Sequence, residues 1–397
     1  MSCVSAPSAR RAYDVIVVGL GGMGSAAAYH LARRGQRILG LEQFGPAHSL
    51  GSSHGSSRLV RQLEDPGYVP LAQQAYALWR ELEDYSGEAL LLITGGLYLG
   101  PPGCPMLTDA QAAADRWDMS HEILTAAETR RRFPTLVPDD GTVALYEPTA
   151  GVVRPELAVA THLRLAGAAG ADLHFAEPVM AWSATQGDGV TVVTEAATYR
   201  AERLVICPGP WAPSLLADIG VPLATQRVIE TWFQPQGGVT PFLPDRHPFW
   251  LWDLGSGGQR LGFPGFLYGA PAVDGPDGGV KLSHIDEQPC SADTVDRVVT
   301  TAEVDKIAAT LRARLAIGLG AVVRVGVCMW TNTPDHHFVL ATHPRHPEVV
   351  VAGGCSGHAF KFVPVIGEIL ADLAVDGKTA HAIGLFDPGR GGSFEED

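Results

Sequence analysis

The sequence predicts an α/β fold in which a parallel sheet is interrupted by a second domain, of α+β type, built on an antiparallel sheet. Units of strand, helix and strand occur twice, in residues 14–42 and 151–207. The segment between them has a different pattern, and residues 225–325 contain short strand patterns separated by Gly and Pro turns. Repeated βαβ units form parallel sheets, whereas strands joined by short turns form antiparallel ones.

The first strand–helix–strand unit carries a dinucleotide-binding pattern. An apolar run at 14–18 predicts a buried strand, residues 25–34 predict a helix, and 38–41 predict a second strand that ends on Glu42. The intervening G-x-G-x-x-G turn contains Gly19, Gly21, Gly22 and Gly24. Such a turn lets backbone approach a pyrophosphate, and an acid after the second strand can bind a ribose hydroxyl. The combination predicts a Rossmann-like dinucleotide site, with a purely structural β-turn-α unit as the alternative.

Composition and charge narrow the class of protein. The 397 residues are 46% hydrophobic and 18% charged, and the net charge is −14. Nucleic acid and anionic membranes bind basic surfaces, so neither is an expected partner. The sequence shows no signal peptide and no apolar run approaching the roughly 18 residues of a membrane span. Six scattered cysteines without a C-x-x-C pair indicate reduced thiols, so we expect a cytoplasmic protein.

The loop after the first unit places polar donors near the predicted dinucleotide site. Gly51 to Gly55 matches the G-x-S-x-G pattern of serine hydrolases, but a polar loop precedes it where a nucleophile elbow needs a buried strand. We therefore reject a hydrolase. The glycines and serines suit backbone laid closely against a ligand, and the donors there are His54, Arg58 and Arg61.

The remaining elements follow from hydrophobic periodicity. Helices are predicted at 68–85, 109–117, 126–133, 157–169, 302–316 and 365–373. Strands are predicted at 90–99, 144–147, 172–175, 190–194, 197–200, 204–207, 228–233, 249–252, 259–263, 280–285 and 349–352.

Residues 327–362 contain acidic residues and several histidines, so a metal-binding site has to be considered there. Its candidate ligands are Asp335, His336, His337, His343 and His346. Their spacing matches no zinc pattern, and neighbouring histidines on a loop seldom converge on one ion, so we expect no metal. Taken alone, Cys328 is most simply an inert buried thiol.

The chain resembles, nearly end to end, the monomeric sarcosine oxidase and N-methyltryptophan oxidase family of FAD-dependent amine oxidases. The segments that carry the resemblance are the turn at 19–24, His54 with Gly55-Ser56-Ser57-Arg58, Gly209-Pro210-Trp211, Gly262-Phe263-Pro264, Val280-Lys281-Leu282, Cys328-Met329-Trp330-Thr331 and Ser356-Gly357-His358-Ala359-Phe360-Lys361-Phe362. The last two segments are specific to this family.

The resemblance implies a glutathione-reductase-type FAD domain and an oxidase reaction. The substrate would be a secondary amine or an N-methyl or cyclic amino acid. A hydride equivalent would pass to FAD N5, leaving an imine, and O2 would be reduced to H2O2. A flavin dehydrogenase with another electron acceptor and a non-catalytic flavoprotein are the alternatives. We expect a monomer whose partners are the small-molecule substrate and O2.

The resemblance also assigns roles to individual residues. Arg61 and Lys361 would hold the substrate carboxylate, while Lys281 and Arg58 would lie on the oxygen side, together with His54. Further FAD contacts are implied at Ser53, Cys328 (as a thioether), Gly357, His358 and Lys361. The FAD-binding domain would comprise residues 1–93, 150–224 and 326–390, and the substrate domain residues 94–149 and 225–325.

The expected pocket departs from the family pattern. Leu261 stands where sarcosine oxidases have a tyrosine before Gly-Phe-Pro, and Trp330 replaces the tyrosine after Cys-Met. Trp250 and Trp252 lie on a strand that should line the pocket, and Trp252 is a further candidate for substrate contact. His284 falls one residue closer to the lysine than the family's histidine. We therefore predict a pocket that differs from the sarcosine one.

Overall fold

The computed structural model describes residues 13–185, 187–255, 265–286 and 288–390. Leu261 and the predicted strand 259–263 lie outside the described residues. In chain order the strands are β1 (Tyr13–Val18), β2 (Ile38–Leu41), β3 (Arg58–Val60), β4 (Leu91–Ile93), β5 (Gly96–Gly100), β6 (Glu122–Thr125), β7 (Val143–Glu147), β8 (Gly151–Val153), β9 (Asp172–His174), β10 (Val179–Thr185), β11 (Gly189–Thr194), β12 (Thr198–Ile206), β13 (Ala224–Gln234), β14 (Phe249–Asp253), β15 (Phe266–Gly269), β16 (Val280–Ile285), β17 (Gln288–Pro289), β18 (Ala321–Asn332), β19 (Val339–His343) and β20 (His346–Gly353). The helices are α1 (Gly22–Arg33), α2 (Val69–Ser86), α3 (Pro105–Trp117), α4 (Ala126–Arg132), α5 (Pro155–Ala168), α6 (Ala212–Leu215), α7 (Thr301–Arg312) and α8 (Val363–Asp376).

The first sheet has eight strands among the described residues. Strands β9, β2, β1, β12 and β20 run parallel in that order. The antiparallel strands β10, β11 and β19 extend it. Residues 15–18 of β1 are buried, as a strand covered by helices on its faces requires. The predicted parallel sheet is confirmed, and the strands predicted at 197–200 and 204–207 form one continuous strand, β12.

A helical layer fixes the direction of α1, which starts at the glycine turn. Helix α1 packs on both α5 and α8. Its alanines are fully buried, and Gly367 of α8 lies against Ala26, where an added Cβ would be 2.5 Å from the Ala26 Cβ. Small residues on both helices permit this close approach. No helix within the described ranges is both long and apolar enough to cross a membrane.

The second sheet has nine strands among the described residues, in the order β17-β13-β16-β15-β14-β5-β7-β6, with β18 also beside β13. Its neighbours are antiparallel except β14 and β5. Trp250 and Trp252 point into the core that contains residues of α7, whereas Leu251 belongs to a different core. Successive strand residues face opposite sides of a sheet, which explains this alternation.

Strand β18 crosses the predicted domain boundary between residues 325 and 326. It pairs with β13 from Ala321 to Asn332, so Cys328 lies on the second sheet. A small third sheet, β3-β8-β4, begins with Arg58, and Arg61 directly follows its first strand. The division of the chain into FAD-binding and substrate domains stays a prediction.

The contact between α1 and α8 yields a stability prediction. We expect Gly367→Ala to destabilise the protein by about 1–3 kcal/mol, because the added methyl group overpacks against Ala26. Gly167→Ala in α5 is the matched control, since its added Cβ meets nothing within 4 Å. The control should stabilise by about 0.5–1 kcal/mol, the usual gain of alanine over glycine in a helix. Equal effects in urea unfolding would contradict the assigned contact.

Candidate active site

A cavity of about 410 Å³ begins at the glycine turn. Gly19 has φ +82°, and an added Cβ would lie 2.3 Å from the Cys207 carbonyl oxygen. At Gly24 the added Cβ would lie 1.7 Å from the Gly19 carbonyl oxygen. At Gly21, which caps α1 and lines the cavity, it would meet only Ser53 Oγ, at 3.5 Å. Two glycines therefore shape the turn, and the third leaves it open to a ligand.

Glu42 lines the same cavity at the end of β2 and is 5% exposed. Its Oε2 accepts a hydrogen bond from the Leu20 N–H at 2.8 Å, and its Oε1 accepts one from the Phe44 N–H at 3.0 Å. Burial alone would raise the pKa of Glu42, but His48 and these N–H groups together hold it below its usual value. The carboxylate is therefore charged at neutral pH where it lines the cavity.

The loop after β2 lies against the turn and against β18. Ser53 Oγ accepts a hydrogen bond from the Gly22 N–H at 3.0 Å. Cys328 is buried, with its Sγ 3.4 Å from Arg58 Nη2. Burial raises the pKa of the Cys328 thiol to about 11, although Arg58 lowers it. The structure thus places Cys328 beside Arg58, a residue of the cavity wall.

A second cavity of about 100 Å³ shares Arg58, Trp330, Gly357 and Phe360 with the first. Polar groups reach it from Arg61, His358 and Lys361 as well as from Glu230 and Lys281. The apolar part of its wall includes Leu59, Leu251, Tyr268, Ala270 and Ile285. A small site with both charged and apolar walls therefore adjoins the dinucleotide cavity at Trp330.

Arg61 and Lys361 meet at a buried carboxylate, that of Glu64. Arg61 Nη2 lies 3.0 Å from Glu64 Oε2, and Lys361 Nζ lies 3.0 Å from Glu64 Oε1. Neither carboxylate oxygen receives a well-directed hydrogen bond, so the attraction is mainly coulombic. Burial would raise the pKa of Glu64, but Lys361 and Arg61 hold it far below its usual value. Burial lowers the pKa of Lys361 to about 8 against the opposing effect of Glu64. This cluster carries a net charge of about +1 at neutral pH.

The residues predicted for the oxygen side show the same arrangement around Glu230. Lys281 Nζ donates to Glu230 Oε1 at 2.6 Å, and Arg58 Nη1 donates to the same oxygen at 3.1 Å. His54 Nδ1 lies 3.8 Å from Glu230 Oε2. The predicted cations Lys281 and Arg58 are thus brought together, but a carboxylate lies between them.

Glu64 and Glu230 are the site residues that the sequence reasoning missed. Glu64 stands three residues after Arg61 in a polar segment, which gives little signal. Glu230 stands inside the apolar strand β13, between Ile229 and Thr231. A charged residue in a buried strand is rare unless it is paired, so this position could have been noticed.

The structure corrects the expectation that Trp252 contacts the substrate. Trp252 is 2% exposed and packs in the core of the second sheet, with the Arg314 guanidinium 5.3 Å from its ring centre. Its neighbour Leu251 lines the small cavity instead, because alternate residues of β14 face opposite sides. Trp330 lines both cavities. Gly357 (φ +75°) packs on the Trp330 ring, where an added Cβ would lie 2.6 Å from the ring.

The residues weighed as metal ligands separate into two groups. Asp335 pairs with Arg390, and His337 Nδ1 lies 2.8 Å from the Tyr68 hydroxyl. His343 and His346 lie with Asp218, their candidate ligand atoms within 4.8 Å of one another. Asp218 is already paired with the guanidinium of Arg345, and the backbone N–H of Arg345 donates to His343 Nδ1.

A glycine turn at a helix N-terminus, a buried acid after the second strand and an adjoining charged pocket define a dinucleotide-dependent oxidoreductase of the doubly wound type. The family model described as FAD dependent oxidoreductase matches residues 14–373, and the chain belongs to this family. Monomeric sarcosine oxidase of Streptomyces avermitilis is 51% identical over 382 residues, covering 95% of this chain and 97% of the relative. N-methyl-L-tryptophan oxidase of Citrobacter koseri is 33% identical, covering 91% of this chain and 94% of the relative.

Solved structures agree with this assignment. NikD, described as an unusual amino acid oxidase essential for nikkomycin biosynthesis, superposes with a TM-score of 0.82 at 28% identity, covering 95% of this chain and 98% of that one. Glycine oxidase from Geobacillus kaustophilus has the same fold, with a TM-score of 0.76 at 23% identity, covering 96% and 99%.

The residues of the large cavity fit FAD. Gly21 leaves room for a pyrophosphate at the N-terminus of α1, and Glu42 faces the position expected for the ribose. The cavity then continues to Arg58 and Trp330, where it meets the small cavity. Arg58 and Trp330 would then lie near the flavin end of a dinucleotide bound along this cavity, beside the charged clusters.

Breaking the Arg61–Glu64–Lys361 cluster should strongly destabilise the protein. We expect Glu64→Gln to cost about 3–5 kcal/mol, because it leaves two buried cations without their carboxylate. The matched control is Glu81→Gln, which removes an exposed partner of Arg33 (side chains 42% and 51% exposed) and should cost at most about 1 kcal/mol. Urea unfolding measures both, and a cost for Glu64→Gln no larger than the control's would contradict the pairing.

Proposed function

We propose that the protein oxidises a small N-methyl or cyclic amino acid and delivers the electrons to O2 as H2O2. The observation that carries this proposal is the small cavity, which presents Arg61 and Lys361 and adjoins the FAD cavity at Trp330. When bound, FAD accepts a hydride equivalent from the α-carbon of the substrate and passes the electrons to O2. The names of the sarcosine and N-methyltryptophan oxidases support the same reaction class.

Arg61 and Lys361 bind the substrate carboxylate in this proposal. Their cluster with Glu64 carries a net positive charge, which one carboxylate neutralises. Lys361 Nζ donates to the His358 carbonyl oxygen at 2.7 Å and lies 3.0 Å from Glu64 Oε1, which leaves at least one of its three N–H groups for the substrate. Charge-assisted hydrogen bonds from two fixed cations hold the amino acid in one orientation.

The walls of the small cavity favour a neutral amine. Leu251 and Ile285 give an apolar surface. Each charged cluster contains two cations and one carboxylate and so carries a net positive charge. Low polarity and nearby cations disfavour an ammonium ion, so they lower the pKa of the bound amine. The volume of about 100 Å³ also favours a small amino acid over one with an indole ring.

Lys281 and Arg58 are the residues we assign to the oxygen side, with His54 beside them. Positive charge in a site shielded from water stabilises the negative charge that develops on O2. A dehydrogenase with another electron acceptor is the alternative, but Lys281 and Arg58 share the one carboxylate of Glu230, and the net positive charge that remains favours O2 as the acceptor.

Measuring H2O2 release against a panel of amines tests the function. The panel contains sarcosine, proline, N-methyl-L-tryptophan and carboxylate-free N-methylethylamine. We expect oxidation of the small amino acids and little of the last two.

Lys361→Met should raise KM by about tenfold or more, since a hydrogen bond to a charged group contributes roughly 1.5–3 kcal/mol. The matched control is Lys306→Met, because Lys306 has a 61% exposed side chain.

Two outcomes would count against this function. Equal oxidation of N-methylethylamine by the wild type would exclude carboxylate recognition. Flavin bleaching by substrate without H2O2 would favour the dehydrogenase.

Cys328 is the residue we assign to a covalent thioether with FAD. Its Sγ lies 3.4 Å from Nη2 of Arg58, a residue that lines the FAD cavity, and Arg58 is the strongest of the groups that favour the thiolate. After acid denaturation the yellow colour should stay with the wild-type protein and be released from Cys328→Ser. Cys290→Ser, a control at a partly exposed cysteine, should keep it. Release from the wild type, or an intact mass without the flavin adduct, would refute the linkage.

A further inference from the structure

Glu230 contacts both cations of the oxygen side from within a buried strand. It lies on β13 and directly pairs with Lys281 of β16 and Arg58 of β3. The Lys281 and Glu230 side chains are each 4% exposed. Among the described residues, Glu230 is the only carboxylate in contact with Lys281.

The other groups around Lys281 do not favour its charge in the same way. Those within electrostatic reach of the cluster are Arg58 from β3, His54 from the preceding loop, Tyr268 from β15, Cys328 from β18 and Glu156 from α5. Arg58 is a cation and opposes a second one. The Glu156 carboxylate accepts hydrogen bonds from the N–H groups of Gly55 and Ser56. A buried amine without a counter-ion loses its proton, so Glu230 occupies the decisive position.

We infer that Glu230 keeps Lys281 protonated and thereby sets the upper pH limit of the reaction with O2. This inference rests on the assignment of Lys281 to the oxygen side in the proposed function. Glu230 is a positioning residue here, because it acts on O2 only through the ammonium of Lys281.

The electrostatics of the cluster agree with this role. Burial lowers the pKa of Lys281 to about 8 even with Glu230 in contact, and Arg58 lowers it as well. Burial would raise the pKa of Glu230, but Lys281 and Arg58 bring it to about 2, so it is charged at neutral pH. Without the carboxylate, burial and Arg58 both favour the neutral amine of Lys281.

The position of Lys281 does not depend on the charge of Glu230 alone. Lys281 Nζ also donates to the carbonyl oxygens of Gly55 at 3.1 Å and Ser57 at 3.3 Å. The amide oxygen of a glutamine at position 230 can accept the third hydrogen bond. Glu230→Gln therefore removes the charge while the contacts that hold the amine in place remain.

Stopped-flow reoxidation of the reduced holoenzyme by O2 between pH 6 and 9 tests the inference. In the wild type the rate should be constant at low pH and fall above about pH 8. In Glu230→Gln the fall should move at least about one pH unit lower, so that reoxidation at pH 8 is about fivefold or more slower. Glu230→Asp, which keeps the charge, should restore the profile towards that of the wild type.

A double-mutant cycle shows whether Glu230 acts through Lys281. Lys281→Met should slow reoxidation at least about a hundredfold while anaerobic bleaching by substrate stays within about tenfold. Adding Glu230→Gln to Lys281→Met should then change reoxidation less than about twofold. Asp286→Asn, which removes the partner of exposed Lys306, should leave the pH profile unchanged.

Unfolding of the holoenzyme by urea gives a second measurement that does not depend on turnover. The pKa of Lys281 is about 8 in the folded protein and 10.5 in its ordinary state. The folded state binds fewer protons in that interval, so the contribution of Lys281 to stability rises with pH from about 8 to 10.5. In Glu230→Gln this contribution should begin at least about one pH unit lower. Lys281→Met should remove it, while the similar contribution of Lys361, whose pKa is also about 8, remains.

The outcomes separate the inference from the proposed function. Reoxidation of Glu230→Gln as fast as that of the wild type at every pH would overturn the inference, as would an unchanged onset of the stability rise. Fast reoxidation in Lys281→Met would overturn both the assignment of Lys281 to the oxygen side and the inference that Glu230 acts through it. Retained H2O2 production in that variant would still leave the oxidase function standing.

Discussion

Two buried carboxylates hold the charged part of this site together. Glu64 joins Arg61 and Lys361, and Glu230 joins Arg58 and Lys281. Four cations could not lie so close to one another in a water-poor interior without compensation, because desolvation penalises each charge. Each cluster keeps a net positive charge, so it remains able to attract an anion while its members stay ionised.

The fold supplies the geometry for these pairs from distant parts of the chain. Arg58 begins β3 of the small sheet, and Lys281 and Glu230 lie on neighbouring strands of the second sheet. Lys361 comes from the turn before α8, which packs on α1 behind the glycine turn. The same packing that places α1 at the pyrophosphate end of the FAD cavity thus supports the segment that carries Lys361.

Much of the fold and of the dinucleotide site could be predicted because their signals are local. Strand β1, the glycine turn, α1 and β2 lie consecutively, and each glycine has its own steric reason. The small cavity could not be predicted in the same way. Trp252 and Leu251 are adjacent in sequence, and only the orientation of β14 decides that Leu251 lines the cavity. The roles of Arg61, Lys361, Lys281 and Cys328 remain predictions. The first three line the small cavity, and Cys328 contacts Arg58, which lines both cavities.

The sequence by itself determined the class of fold, the position of the FAD turn and the family, since these depend on contiguous motifs and on the periodicity of apolar residues. Only the tertiary structure decided that Glu64 and Glu230 are the counter-ions of the site. Their importance comes from burial and from neighbours far along the chain, and both exist only once the sheets have assembled. The same carboxylates in water would contribute little, whereas in the interior they determine which cations stay charged.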